Sequence, residues 1–366
     1  MKRFLAFVCV LLVCIVGGVF YYSERPLPPP PPQKVGVLMM GSRENSSWNE
    51  AQARGIEKTA EERGAVVVWR YNVVPSEAGS TVEKLIEDGC RIIVGTAPEF
   101  DTIIHQMALR YPKVSFMQAG SQQEANNLLC YTGRFYQTNY LCGLVAGRFA
   151  SSGELGFVGS NPRPEVIRMV NAFTIGVRKA NPEAKVYLRY AGSWIDDAAG
   201  REAADSLMQA HPGIQVIAGQ VGFDGYISAA KQRGIYAIGC NIDLSRQYPE
   251  TLLTAPVWNW EVFFRRAMLE TAYGRVSSRL YVGTLDSGLY SISQTPLLRE
   301  AEAKDPTLEP MIRREYESIV EGSFDAFYGP VVDSKGVLQV QAGENLGDEV
   351  LFGTLDWYVE GVQLDE

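Results

Sequence analysis

The sequence predicts an α/β protein made of two doubly wound parallel-sheet lobes with a ligand cleft between them. Three observations carry that expectation. From Val35 onward, short β-branched runs alternate with helix-like patterns, the signature of βαβ units. The same alternation starts again after the turn Ser151-Ser152-Gly153, so the chain holds two similar halves. At 366 residues, 46% of them hydrophobic, the chain is long enough to bury a core in each half.

The first lobe opens with the strand Val35-Gly36-Val37-Leu38-Met39-Met40 and a helix from about Ser47. Val66-Val67-Val68-Trp69 and Arg91-Ile92-Ile93-Val94 follow, joined by a helix from about Ser76. A helix around residues 100–111 leads to Val114-Ser115-Phe116-Met117, and Leu128-Leu129-Cys130-Tyr131 completes the set. An amphipathic helix from about Gln137 to Phe149 then connects the halves. The second lobe repeats the scheme with Leu155-Gly156-Phe157-Val158, a helix from Pro164, Val186-Tyr187-Leu188, a helix from about Asp197, Val216-Ile217-Ala218, a helix near Tyr226 and Tyr236-Ala237-Ile238. Pro164 suits a first helical turn, where its missing N–H is no loss, and Glu165 beside it complements the helix dipole. After Leu252-Leu253-Thr254-Ala255 comes a helix from about Trp258 to Tyr273. The tail carries a helix over residues 310–323 and a β-like region ending in Trp357-Tyr358-Val359, expected to lie on the second lobe. Ligands of parallel sheets bind beyond the strands' carboxyl ends, so two facing lobes put both sets of loops around one cavity.

Lys2-Arg3 precede an apolar run over residues 4–22 of bilayer-spanning length, and residues 1–22 read as a signal peptide or an N-terminal membrane anchor. Gly17-Gly18-Val19 is a poor cleavage site and Val13 before Cys14 does not suit a lipoprotein signal, which favours the uncleaved anchor. Residues 23–34 read as a Pro-rich spacer, because every position from 26 to 32 except Leu27 is proline and such a run extends stiffly. The expected location is the periplasm or cell exterior, tethered to the cytoplasmic membrane. A net charge of −8 without a Lys/Arg cluster in the body argues against a nucleic-acid partner. Cys9 and Cys14 fall in the apolar segment, whereas Cys90, Cys130, Cys142 and Cys240 lie in or beside apolar stretches and read as buried thiols rather than disulfides.

The chain has two histidines, His105 and His211, and neither has ligand-like spacing to other metal-binding side chains, so no metal is expected. Walker, dinucleotide-binding and nucleophile-elbow signatures are missing, so neither a cofactor nor an enzyme is expected. Adjacent Asp196 and Asp197 precede a helix and read as caps rather than as an acid/base pair. Aromatic and polar residues collect instead at strand ends. Trp48, Trp194, Trp258 and Trp260 follow strands, where an indole can stack on a flat ligand. Asn49, Thr96, Gln118, Asn241 and Asp243 occupy similar positions, where amides, hydroxyls and carboxylates can read the edges of a base or the hydroxyls of a ribose. The candidate ligand-binding set is therefore Trp48, Asn49, Thr96, Gln118, Trp194, Asn241, Asp243 and Trp258.

Several longer motifs resemble the basic membrane protein (BMP) family of ABC-importer solute-binding proteins, which includes nucleoside binders and a subgroup associated with adenine. They are Gly133-Arg134 with residues 136–143, Pro164-Glu165-Val166-Ile167-Arg168 with Asn171-Ala172-Phe173, Gly192-Ser193-Trp194-Ile195-Asp196, Trp258-Asn259-Trp260, residues 328–336 and residues 356–362. The resemblance covers nearly everything after residue 34. It implies a type I periplasmic-binding-protein fold with a hinge, in which lobe 1 comprises residues 35–150 plus 252–278 and lobe 2 residues 151–251 plus 279–366. It also implies a ligand held between aromatic rings, with Trp48 matching the family's stacking aromatic, Asp243 an acidic loop position and Asp286 a Gly-x-x-Asp element. Two departures weaken ribose recognition: Asn241 stands where nucleoside binders carry an aspartate, and Trp258 where they carry a lysine. Gly222, Gln220 and Gln52 replace acidic and histidine residues of the adenine-type subgroup.

The implied function is extracytoplasmic binding of a purine-like nucleobase or nucleoside, presented to an ABC permease by closure of the lobes. The alternative is a membrane-anchored ligand sensor for a signalling partner.

Overall fold

The computed structural model describes residues 33–273 and 279–365. The expected anchor over residues 1–22, with Cys9 and Cys14, and the spacer up to residue 32 lie outside the described residues. Among the described residues, no helix is long and apolar enough to cross a membrane.

Two six-stranded sheets, every pairing parallel, form the framework. The first contains β1 (Lys34–Leu38), β2 (Val66–Arg70), β3 (Ile92–Gly95), β4 (Ser115–Ala119) and β5 (Leu128–Gly133), joined by α1 (Ser47–Arg63), α2 (Pro75–Glu87) and α3 (Asp101–Arg110). Val35, Val37, Ile92, Ile93 and Val94 have no exposed surface, as expected where helices cover both faces of a parallel sheet. α4 (Tyr136–Phe149) leads to the second sheet: β6 (Glu154–Gly159), β7 (Lys185–Tyr190), β8 (Val216–Gln220), β9 (Tyr236–Ile238) and β10 (Leu252–Thr254), with α5 (Pro164–Ala180), α6 (Asp197–Ala210) and α7 (Gly225–Arg233).

Caps fix the helix ends. Ser46 Oγ accepts from the Asn49 amide, and α1 ends at Gly64 in the left-handed region, φ 62°. Asp196 caps α6 by accepting from the Ala199 amide, and Asp197 Oδ1 accepts from the amides of Phe223, Asp224 and Gly225 at 3.1, 3.0 and 2.7 Å. Both adjacent acids thus hold backbone amides. α4 and α5 lie against each other through glycines: a Cβ on Gly176 would fall 2.1 Å from the Tyr140 carbonyl oxygen, and one on Gly143 2.2 Å from that of Phe173.

Within the expected returning segment, residues 252–278, Trp260, Phe263 and Phe264 do pack on Tyr131 of β5 in the first lobe, but both ends of the segment differ. Leu252–Thr254 stays in the second sheet, where Leu252 is in register with Ala237 of β9. The strand that joins the first sheet is β12 (Arg279–Gly283), paired along its length with β5. Leu252 and Leu253 are both fully buried although β10 is the edge strand of its sheet, and an apolar run without alternation announces burial without naming the sheet it joins. Trp258 ends β11 (Pro256–Trp258) rather than starting a helix, and the helix that follows is α8 (Glu261–Ala272). β11 pairs antiparallel with β13 (Tyr290–Ile292), and this ribbon lies where the chain passes between the sheets. The tail forms α9 (Pro296–Lys304), α10 (Leu308–Val320), the hairpin β14 (Val331–Val332) and β15 (Leu338–Val340), and β16 (Val362–Leu364), which edges the second sheet beside β7. Cys90, Cys130, Cys142 and Cys240 are all buried and unbridged.

Candidate ligand-binding site

A cavity of about 530 Å³ opens between the lobes. Its walls are the loops and helix amino ends that follow the carboxyl ends of strands in both sheets: Met40 and Trp48 after β1, Pro98 after β3, Ser121 after β4, Phe135 after β5, Arg168 after β6, Trp194 after β7, Val221 after β8 and Asn241 after β9. This is where parallel sheets gather ligands, and the volume falls in the range of small-molecule sites.

One wall is aromatic. Phe135 stacks on Trp258 at 4.1 Å between centroids and 8° between planes, and Trp258 stacks on Trp260 at 4.4 Å and 16°. Both faces of Trp258 are therefore covered, and it borders the cavity by its edge. Gly133 permits this, because a Cβ there would fall 2.8 Å from Trp258 Cζ3. Trp48 meets Trp258 and Trp260 edge-on, at 5.7 Å and 85° and at 5.5 Å and 83°. Its Nε1 donates to the Thr96 carbonyl at 2.8 Å, which fixes the ring, and among the described residues no ring is stacked on it.

Of the residues expected at the site, Trp48, Asn49, Trp194, Asn241 and Trp258 border the cavity, whereas Thr96, Gln118 and Asp243 do not. Thr96 is fully buried, and its hydroxyl donates to the Leu38 carbonyl while its own carbonyl orients Trp48. Gln118 is fully buried too, donating to the carbonyls of Ala97 and Ala119. Asp243 is exposed and accepts from the Ser245 amide at 2.7 Å, a local turn. Strand-end position alone does not separate a side chain that faces the cleft from one that braces the loop.

The two cavity asparagines also serve the framework. Asn49 Nδ2 donates to the carbonyls of Met40 and Ser42, closing the loop before α1. Asn241 adopts φ 63° and joins three segments: its Oδ1 accepts from Trp258 Nε1 at 3.1 Å and its Nδ2 donates to Ser47 Oγ at 3.0 Å. Ser47 Oγ donates in turn to the Gly222 carbonyl at 3.3 Å, so the amino end of α1 touches the second lobe across the cleft. Gln220 borders the cavity, while Gln52 is buried behind it and accepts from the Tyr131 hydroxyl.

The charged side chains that line the cavity are Glu99, Glu165, Arg168, Asp348 and Glu349, and Arg134 and Arg163 stand behind them as ion-pair partners. Arg163 pairs with Glu165 at 2.8 Å and reaches Glu99 at 3.7 Å across the cleft. Arg134 forks onto both oxygens of Asp348, at 2.8 and 2.6 Å. Arg168 is 5% exposed, and burial pushes its guanidinium down to about 10. Phe135, Arg168 and Phe352 were not among the expected site residues. Arg168 had a readable signal, a cation inside the apolar run Val166-Ile167-Arg168-Met169-Val170; Phe135 and Phe352 had none beyond being aromatic. Among the described residues no group of acidic, His or Cys side chains is arranged to hold a metal ion.

Comparisons with known proteins agree with this architecture. The Bmp family model, described as ABC transporter substrate-binding protein PnrA-like, matches residues 32–305. A purine-binding protein of Brucella abortus is 27% identical over 353 residues, 95% of each chain. A putative ABC transporter glucose-binding protein of Haloferax volcanii is 27% identical over 319 residues, 87% of this chain and 76% of that one. Among solved structures, an ABC transporter solute-binding protein of Aeropyrum pernix superposes with a TM-score of 0.71 over 80% of this chain and 93% of that one, at 19% identity.

Proposed function

The chain belongs to the Bmp family of PnrA-like ABC transporter substrate-binding proteins and has the type I periplasmic-binding-protein fold, and from that footing we propose that its interlobe cavity binds a purine-like nucleobase or nucleoside and presents it to a membrane permease. The observation that carries the ligand reading is the wall formed by Trp48, Phe135 and Trp258, with Trp48 held in place by the Thr96 carbonyl and no ring stacked on it among the described residues. A rigid indole with an unstacked face offers a purine a large contact at small entropic cost. The cavity's asparagines are already bonded to protein groups, which suits a flat, largely apolar ring better than a sugar surrounded by hydroxyls.

Closure follows from the hinge. The lobes are joined through α4, the β11–β13 ribbon and the tail, so they can rotate without breaking either sheet. A ligand touching loops of both lobes favours the approach already made by Ser47 to Asn241 and Gly222, and the closed face is what a permease reads. Tethering by residues 1–22 belongs to the same proposal: the spacer lets the body reach a permease in the same membrane.

A thermal-shift panel of the full chain with adenine, hypoxanthine, guanine, their nucleosides, cytosine and glucose tests the ligand class, since a ligand that binds only the folded state raises the melting temperature. The reading predicts a shift with a purine and none with glucose. A shift with glucose alone transfers the site to sugars.

A further inference from the structure

Among the charged residues that line the cavity, Arg168 is the buried one, and none of the ion pairs described neutralises it. Arg168 is 5% exposed and lines the cavity. One nitrogen, Nη1, donates to the Leu351 carbonyl, and its plane lies over the Phe352 ring at 4.5 Å. Its Nε has no hydrogen-bond partner among the described residues. The contrast is with Arg134, which lies over the same Phe352 ring at 5.4 Å and is neutralised by Asp348. The acids nearest Arg168 are Glu165 and Asp348, and each is already engaged, by Arg163 and by Arg134. Arg168 also stands in the second turn of α5, far from the helix's carboxyl end, so no helix carboxyl terminus offsets its charge. A buried cation without a carboxylate is costly, and the usual remedy is an acceptor of matching shape. Glu349 also borders the cavity but is exposed, in the helical segment that leads into Val350–Thr354, with no partner of its own among the ion pairs described.

We infer that Arg168 is a specificity-determining residue that selects ligands presenting an acceptor edge, an oxo group or a carboxylate, over ligands presenting an amino group. This rests on the flat-ligand reading of the same cavity. A 6-oxopurine offers two adjacent acceptors, its exocyclic oxygen and ring nitrogen, to a guanidinium, whereas adenine puts an amino donor in place of that oxygen. A carboxylate-bearing heterocycle satisfies the same group by a bidentate, charge-assisted pair.

The test is calorimetric titration of the full chain and of its Arg168→Met, Arg168→Gln and Arg168→Lys variants with hypoxanthine, adenine and orotate, after the melting temperature of each variant is recorded. The inference predicts that hypoxanthine or orotate binds the unmodified chain roughly tenfold or more tighter than adenine. It further predicts that Met and Gln reduce that preference to about twofold or less while Lys keeps part of it, because a point charge retains the attraction without the planar fork. Preference for hypoxanthine identifies the oxo source, and preference for orotate the carboxylate. Equal binding of adenine in the unmodified chain, or a loss shared equally by all three ligands alongside a lowered melting temperature, overturns the inference and makes Arg168 a strut for the Leu351 segment. Binding of none of the three by the unmodified chain removes the base reading itself, and the inference with it.

Discussion

Asn241 both lines the cavity and holds the framework around it. Its backbone is in the left-handed region, which asparagine tolerates better than other non-glycine residues, and its amide joins Trp258 to Ser47 across the lobes. Asn241→Ala adds strain of about 1–2 kcal/mol and removes two hydrogen bonds of about 1 kcal/mol each. Asn241→Gly removes the bonds but not the conformational ease. The expected order of urea midpoints is Asn, then Gly, then Ala; an alanine variant as stable as the parent would show that neither bond holds the cleft. At this scale the sequence told residue types and their strand-end positions, which brought Trp48, Asn49, Trp194, Asn241 and Trp258 to one cavity. It did not tell which way each side chain turns. Thr96 and Gln118 donate to the backbone carbonyls of Leu38, Ala97 and Ala119 instead of facing the cavity, and Arg168 showed itself only as a cation within the apolar run of α5.

The α4–α5 contact sets the geometry of the second lobe relative to the connecting helix, and two glycines make it close. Ala at 176 must displace the Tyr140 carbonyl, a backbone atom that cannot rotate away, so Gly176→Ala is expected to cost roughly 1–3 kcal/mol despite alanine's better helix propensity. Gly200 in α6 is the opposite case: the nearest atom to an added Cβ is Val221 Cγ1 at 3.4 Å, an ordinary contact, so Gly200→Ala is expected to gain about 0.5–1 kcal/mol. Denaturant unfolding of the pair checks both signs, and equal effects would refute the packing argument. Elements with strong periodicity, such as α1 and α5, were legible because caps and apolar spacing agree. β10 and β12 were not, because a run's apolarity announces burial but not its neighbour, and the pairing partner is set by where the chain emerges from the preceding helix or loop. The 3-residue strands of the hinge ribbon are too short to show any period.

The molecule as a whole joins two similar sheets by connections that run past one cavity, and family membership follows from that arrangement together with the match over residues 32–305. The repeat of βαβ units was readable in the sequence because both lobes follow the same alternation; the return of the chain between lobes was readable only in outline. On the proposed function, a ligand that contacts both sets of loops favours a single closed state, so binding and closure are linked. Calorimetric titration of the full chain and its Trp48→Ala variant with the purine that gives the largest thermal shift tests this most directly. The account predicts micromolar or tighter binding, about 8 kcal/mol, weakened by about 1–3 kcal/mol when the indole is removed. Unchanged affinity in Trp48→Ala, or no heat from any purine with the parent protein, would contradict it.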